Sequence, residues 1–263
     1  MQNESSRTPT LPLREGILYG PVNSRRYGRS LGINLFPGTR KVCSFNCVYC
    51  HYGWTQGATV DAAATEKGLP DVETVAGTLE ETLQTDLACD LITFSGNGEP
   101  TLHPQFPEMV DAVVRLRDRY RPESRVALLS NTSGLAREEV LRSIHKIDLP
   151  VFKLDAGTEA LFRAINRPHP QITLERIVGW IKKTENPCLQ TVIVDGTPSN
   201  VGAEALAAYC KHVAAIAPRE VHLYSIDRPV PDTQIRLVLP ERLKEIAATI
   251  ATETGIPVRA FHV

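Results

Sequence analysis

The chain has 263 residues, 42% hydrophobic and 22% charged, enough apolar material for a sizeable core, so global disorder is excluded. Lysine and arginine total 29 against 30 acids, a formal net charge of -1; no overall field recruits nucleic acid or an anionic membrane, and any anionic partner has to be met locally. No apolar run approaches the ~18 residues of a membrane span, and the polar start MQNESSRTPTLPLREG lacks the apolar stretch of a secretory signal, so a cytoplasmic protein without membrane attachment is expected.

In chain order, residues 1–16 are polar, proline-containing and aperiodic and read as a flexible N-terminal tail or outer strap, leaving 17–263 as one domain. Residues 30–36 alternate like a strand that Pro37 and Gly38 end, and a cysteine-rich loop follows directly. Then come a helical stretch over 71–88, an apolar run over 91–94, a helix over about 105–120 and a strand over 125–130. A helix near 136–145, a strand over 149–154, helical stretches at 158–165 and 173–184 and a strand over 189–194 continue the rhythm. A helix over about 201–216, a strand over 220–225 and a helix from 240 to about 253 follow, and a last apolar run over 257–261 forms a short C-terminal extension. Six strands trailed by helical sequence make an α/β fold with parallel strands. A partial (β/α)6 barrel of the TIM type and a doubly wound open sheet suit this alternation equally, and both place function at the strand C-terminal ends.

The six cysteines are Cys43, Cys47, Cys50, Cys89, Cys188 and Cys210, and in a reducing cytosol an even count is poor evidence for disulfides. Three of them fall within eight residues, so three thiolates on one short loop can converge on one metal centre. Structural zinc wants four closed ligands, and His51, directly after Cys50, is poorly placed to fold back as a fourth. A four-iron cubane on three thiolates keeps one iron free for an exogenous ligand. Cys89, Cys188 and Cys210 lie beside or within apolar strand and helix segments and read as small core residues with no metal.

The loop Cys43-Ser-Phe-Asn-Cys47-Val-Tyr49-Cys50 resembles the C-x3-C-x-aromatic-C signature of the radical S-adenosylmethionine (SAM) superfamily, over about residues 20–230. The resemblance implies a partial (β/α)6 barrel and a four-iron, four-sulfur (4Fe-4S) cluster on Cys43, Cys47 and Cys50, with Tyr49 the signature aromatic beside SAM. It implies reductive cleavage of SAM and abstraction of a substrate hydrogen. Ser95-Gly96-Asn97-Gly98-Glu99-Pro100, after the second strand, resembles that family's Gly-Gly-Glu motif; Gly96, Gly98 and Glu99 inherit contact with the methionine ammonium, and Asn97, which interrupts the usual glycine pair, is expected at SAM with them. Ser130 and Asn131, at the end of the third strand, are candidates for the SAM ribose or ordinary helix caps. Alternation puts Lys153 and Asp155 on one face of the fourth strand, as an ion pair or as cavity lining; the resemblance gives Asp155 to the ribose and Lys153 to the substrate.

The phrases beginning at Gly20 and running to Ile33, and from Gly96 to Pro104, resemble more narrowly the standalone iron–sulfur oxidoreductases grouped with tRNA wybutosine (wyosine) synthesis enzymes. That grouping makes a tRNA base the first substrate expectation, with a peptide or small metabolite as rivals. Its base-forming members are expected to carry a second cluster on N-terminal cysteines, yet no cysteine precedes Cys43. An external electron donor of ferredoxin or flavodoxin type is implied. The basic stretch Arg14, Arg25, Arg26, Arg29, Arg40 and Lys41 borders the cysteines and suits phosphates, or a solvated or packed surface. The alternative class is a non-catalytic iron–sulfur or zinc protein acting as redox sensor, electron carrier or RNA-binding module; the glycine loop, which such a protein has no need of, speaks against it.

Overall fold

The computed structural model describes residues 10–261 except 25 and 66; Arg25 and residues 1–9 of the expected tail lie outside the described residues. The main sheet has eight strands in the order β1 (Leu18–Ser24), β2 (Gly28–Ile33), β3 (Leu91–Phe94), β4 (Arg125–Ser130), β5 (Leu149–Lys153), β6 (Cys188–Val192), β8 (Glu220–Tyr224) and β10 (Val258–Phe261). Every neighbouring pair is parallel except the antiparallel edge pair β1–β2. A two-stranded ribbon, β7 (Asp195–Gly196) with β9 (Ile235–Arg236), lies apart. The helices are α1 (Ala62–Thr65), α2 (Val72–Leu83), α3 (Phe106–Tyr120), α4 (Glu138–Ser143), α5 (Glu159–Asn166), α6 (Leu174–Ile181), α7 (Ala203–Ile216) and α8 (Pro240–Thr254).

The six expected parallel strands are β2 to β6 and β8, curled as a partial barrel rather than an open sheet, and the C-terminal run pairs as β10 beside β8. Two expectations need correction. The first parallel strand is Gly28–Ile33, not 30–36, because Asn34, Leu35 and Phe36 leave the ladder to be buried beneath the rim. Strand β1 carries no apolar alternation that the sequence could show, because it contains turn residues and none of its positions is fully buried. The helix expected over 71–88 stops at Leu83, where Gln84 forms the C-cap.

Alternation along the parallel strands separates two apolar surfaces. Ile92, Phe94, Val126, Leu128, Phe152, Leu189 and Val221 face outward into one large core with the helices, where the Phe94 and Phe106 rings meet edge-on at 5.3 Å. Leu91, Ala127, Leu149, Val151 and Cys188 face inward as a smaller cluster filling the lower barrel. A buried polar group lies against it. His222 Nδ1 lies 2.7 Å from the Tyr27 hydroxyl and Nε2 lies 3.2 Å from Glu220 Oε2, so both ring nitrogens have partners, with Cys188 Sγ 3.7 Å from Nδ1. Cys89 and Cys210 are buried in or beside the outer core. Among the described residues no helix is long and apolar enough to cross a membrane.

Toward the strand C-terminal ends the inward positions turn polar, and those ends carry Ser95, Ser130, Lys153, Gln190 and Tyr224 on one rim. Behind the rim, His103 is fully buried against Phe36, ring centroids 5.9 Å apart. Burial pushes its imidazole down to about 4, and the Arg137 guanidinium adds to the push. The folded value lies below the ordinary ~6.5, so its neutral form contributes stability that is complete above that pH and lost as pH falls toward the folded value. We expect the urea midpoint to fall between about pH 6.5 and pH 4.5 and His103→Gln to flatten that fall; an unchanged slope would place the acid sensitivity elsewhere.

Candidate cofactor site at the strand rim

The cysteine loop is held by backbone rather than by regular structure. Val48 N–H donates to Ile165 O at 3.0 Å and Asn46 N–H to Asn166 O at 3.0 Å, which stitches the loop to the end of α5, while Phe45 packs edge-on against Phe162 at 5.4 Å. Cys43, Cys47 and Cys50 are free thiols, half-buried, on the wall of a cavity of about 430 Å³. Burial pushes the Cys43 and Cys47 thiols up to about 12 and about 11, so without a cation they stay protonated. Each sulfur nevertheless faces N–H donors: Phe45 N (3.4 Å) and Asn131 Nδ2 (3.6 Å) for Cys43, Asn166 Nδ2 (3.5 Å) for Cys47 and Lys41 Nζ (3.2 Å) for Cys50. Among the described residues, one set of three donor side chains closes to within 4.8 Å, Cys188 with Glu220 and His222; the three loop sulfurs stand wider apart.

The glycine loop leans on the lead-in to the cysteines. Gly96 (φ +122°) and Gly98 (φ +152°) pack so closely that a Cβ would meet Asn34 Oδ1 at 2.6 Å and Val42 O at 1.7 Å, and Val42 forms a parallel bridge with Gly98. Asn97 does not line the cavity. Its amide instead clamps the chain's beginning, accepting from Arg14 N at 2.8 Å and donating to Arg14 O at 2.7 Å, while Leu11 N donates to His51 O at 2.8 Å. Residues 11–16 therefore strap both loops together.

Glu99 is 2% exposed, and its carboxylate accepts from Thr101 N, Thr101 Oγ1 and Ser130 Oγ at 3.1, 2.6 and 2.7 Å, and from Asn131 N at 2.5 Å. Burial raises its pKa above the ordinary glutamate value against the pull of those four donors. Ser130 and Asn131 are thus brought to the cavity with part of their bonding already committed; Asn131 Nδ2 also donates to Ser44 Oγ at 2.9 Å.

Asp155 sits behind the cavity, 2% exposed. Its Oδ2 accepts from the Tyr49 hydroxyl and from Asn166 Nδ2 at 2.6 Å, and its Oδ1 from Val192 N at 2.8 Å. Tyr49 reaches the cavity wall with Lys153 Nζ 5.0 Å from its ring centroid. Lys153 donates to Tyr224 Oη at 2.8 Å. Burial opposes its charge, but Tyr224 and Asp155 outweigh burial and hold its pKa above the ordinary lysine value. Of the residues expected from sequence, Tyr49, Gly96, Gly98, Glu99, Ser130, Asn131 and Lys153 line one cavity with the three cysteines. Sequence reasoning missed Asn166 and Gln190; it placed Lys41 and Arg26 only in the basic stretch beside the cysteines and Tyr224 only at the end of the sixth strand, and Arg26 stacks 5.2 Å from the Tyr224 ring.

A profile of the radical SAM superfamily matches residues 40–197, which include both loops and the rim residues Ser95, Ser130, Lys153 and Gln190. The chain belongs to the radical SAM superfamily. The UPF0026 protein of Methanocaldococcus jannaschii is 32% identical over 243 residues, covering 89% of this chain and 70% of that protein. The UPF0026 protein of Synechocystis sp. is 32% identical over 275 residues, covering 94% and 96%. In fold the chain is similar to TYW1 with a lysine–pyruvate adduct bound (TM-score 0.62, 15% identity, 86% of this chain and 75% of that one). It is also similar to Streptococcus suis SuiB bound to the precursor peptide SuiA (TM-score 0.61, 13% identity, 85% of this chain), of which it spans 47%.

Radical SAM proteins use SAM and an iron–sulfur cluster, and the donors of this chain suit both: sulfurs supplied with N–H donors, beside a cavity large enough for a nucleoside. The junction of Gly98 with Val42 is the tightest point. Gly98→Ala drives a methyl group into a carbonyl at a backbone angle that side chains rarely adopt, and should cost roughly 3 kcal/mol in urea unfolding and lower the iron held per chain after reconstitution. Wild-type stability in this variant would show that the two loops are not rigidly joined.

Proposed function

We propose that this radical SAM protein is an enzyme in which Cys43, Cys47 and Cys50 hold a 4Fe-4S cluster and SAM occupies the adjoining cavity. The observation that carries this reading is the meeting of three N–H-supplied cysteine sulfurs and the glycine loop on one cavity wall. Three loop cysteines support a cubane with one free iron over structural zinc, which wants four closed ligands. Bound there, cluster and SAM supply reductive carbon–sulfur cleavage and a hydrogen-abstracting 5′-deoxyadenosyl radical.

The chain's own residues bind and orient. The backbone at Gly96 and Gly98 lies close enough to the cysteine lead-in for its polar groups to meet the methionine ammonium. Ser130 and Asn131 offer hydroxyl and amide to the ribose from positions fixed by Glu99. Tyr49 forms a wall held by Asp155, and Asn97 holds the glycine loop to the strap rather than touching SAM. Lys153, Tyr224, Gln190 and Arg26 form the wall farther from the glycine loop, continuous with a second cavity of about 530 Å³ that shares Arg26, Gln190 and Tyr224. That is where the substrate belongs, with Lys153 and Arg26 suited to an anionic group. A tRNA base is the first substrate candidate, and a peptide or small metabolite the next. The enzyme is an oxidoreductase of the cytoplasm that takes electrons from a ferredoxin or flavodoxin.

Anaerobic reconstitution with iron and sulfide, followed by SAM and dithionite, should yield 5′-deoxyadenosine from wild type and none from Cys47→Ala. Stoichiometric zinc without SAM affinity would instead establish the non-catalytic reading.

A further inference from the structure

Lys41 is 7% exposed, and among the described residues no carboxylate stands within ion-pair distance of it. A buried ammonium with no counter-charge is costly, and its position calls for a compensating anion. Its Nζ donates to two acceptors, Gly53 O at 2.6 Å and Cys50 Sγ at 3.2 Å. Gly53 (φ +78°) closes a turn in which its N–H donates to Cys50 O at 2.9 Å, so its carbonyl and the Cys50 sulfur converge on the same ammonium. The other two sulfurs receive neutral donors, the amides of Asn131 and Asn166 and the backbone N–H of Phe45. The charged donor is reserved for Cys50.

We propose that Lys41 is the electrostatic partner of the cluster, acting through Cys50 to stabilise its reduced form and raise its reduction potential. This rests on the cluster reading above. Three thiolates on a four-iron core already leave net negative charge, and one electron from a low-potential one-electron donor adds another without making or breaking a bond. An ammonium hydrogen-bonded to a ligand sulfur in a low-dielectric wall favours the more negative state more strongly. Lys41 thus tunes and positions; it does not touch SAM or substrate.

The test compares wild type, Lys41→Met and Lys41→Arg, reconstituted anaerobically, by iron and sulfide content and by mediated redox titration of the reduced-cluster EPR signal. We expect Lys41→Met to take up the same iron with a midpoint shifted to more negative potential, and Lys41→Arg to stay near wild type. Retention of iron by Lys41→Arg but not by Lys41→Met would also support the charge role. An unchanged midpoint in Lys41→Met, equal shifts in both variants or loss of iron from both would overturn it, the last two in favour of shape alone. Failure of wild type to bind iron would instead sink the cluster reading itself.

Discussion

Two buried carboxylates govern the rim. Glu99 accepts the N–H of Asn131, whose side-chain amide then reaches Ser44 and the Cys43 sulfur; Asp155 accepts the amide of Asn166, which reaches the Cys47 sulfur. In each case a carboxylate fixed by several donors orients an amide, and the amide meets a cysteine. Burying a carboxyl group is tolerable only when its acceptor sites are filled, and here the groups that fill them belong to the strand ends and loops that must be aligned. The requirement to satisfy the carboxylates is therefore what sets the positions of the cysteine loop, the glycine loop and the end of β4 relative to one another.

The same logic accounts for the departure at Asn97. Gly96 and Gly98 are needed as glycines because Asn34 and Val42 occupy the space of any Cβ, whereas position 97 points away from the cavity toward the chain's beginning. There a side-chain amide, with one donor and one acceptor group, matches the N–H and C=O of Arg14 as a strand neighbour would. The interruption of the glycine pair is thus the fixing point of the strap that passes over both loops.

The basic stretch disperses when folded. Arg29 pairs with Asp90, Arg14 lies 4.8 Å from the Tyr19 ring, Arg26 stacks on Tyr224 and Lys41 turns inward to Cys50. No continuous cationic stripe for a nucleic-acid backbone forms from these four residues; the positive charge that remains is focused on the cavity, where Arg26, Lys153 and Arg228 converge.

The sequence by itself determined the strand–helix rhythm, because periods of two and of 3.6 are local properties of side-chain spacing. It also determined the cysteine triplet and the glycine loop, whose chemistry depends on residues a few positions apart. Only the tertiary structure decided that the sheet curls, that β1 adds an antiparallel edge, and that Asp155 and Asn97 work from behind the site rather than in it. Only it joined Lys41 to Cys50, Asn166 to Cys47 and Lys153 to Tyr224. Those contacts span from nine to more than a hundred positions, and no local pattern encodes them: an isolated asparagine or lysine reads the same in solvent as beneath a cysteine loop until the fold chooses its neighbours.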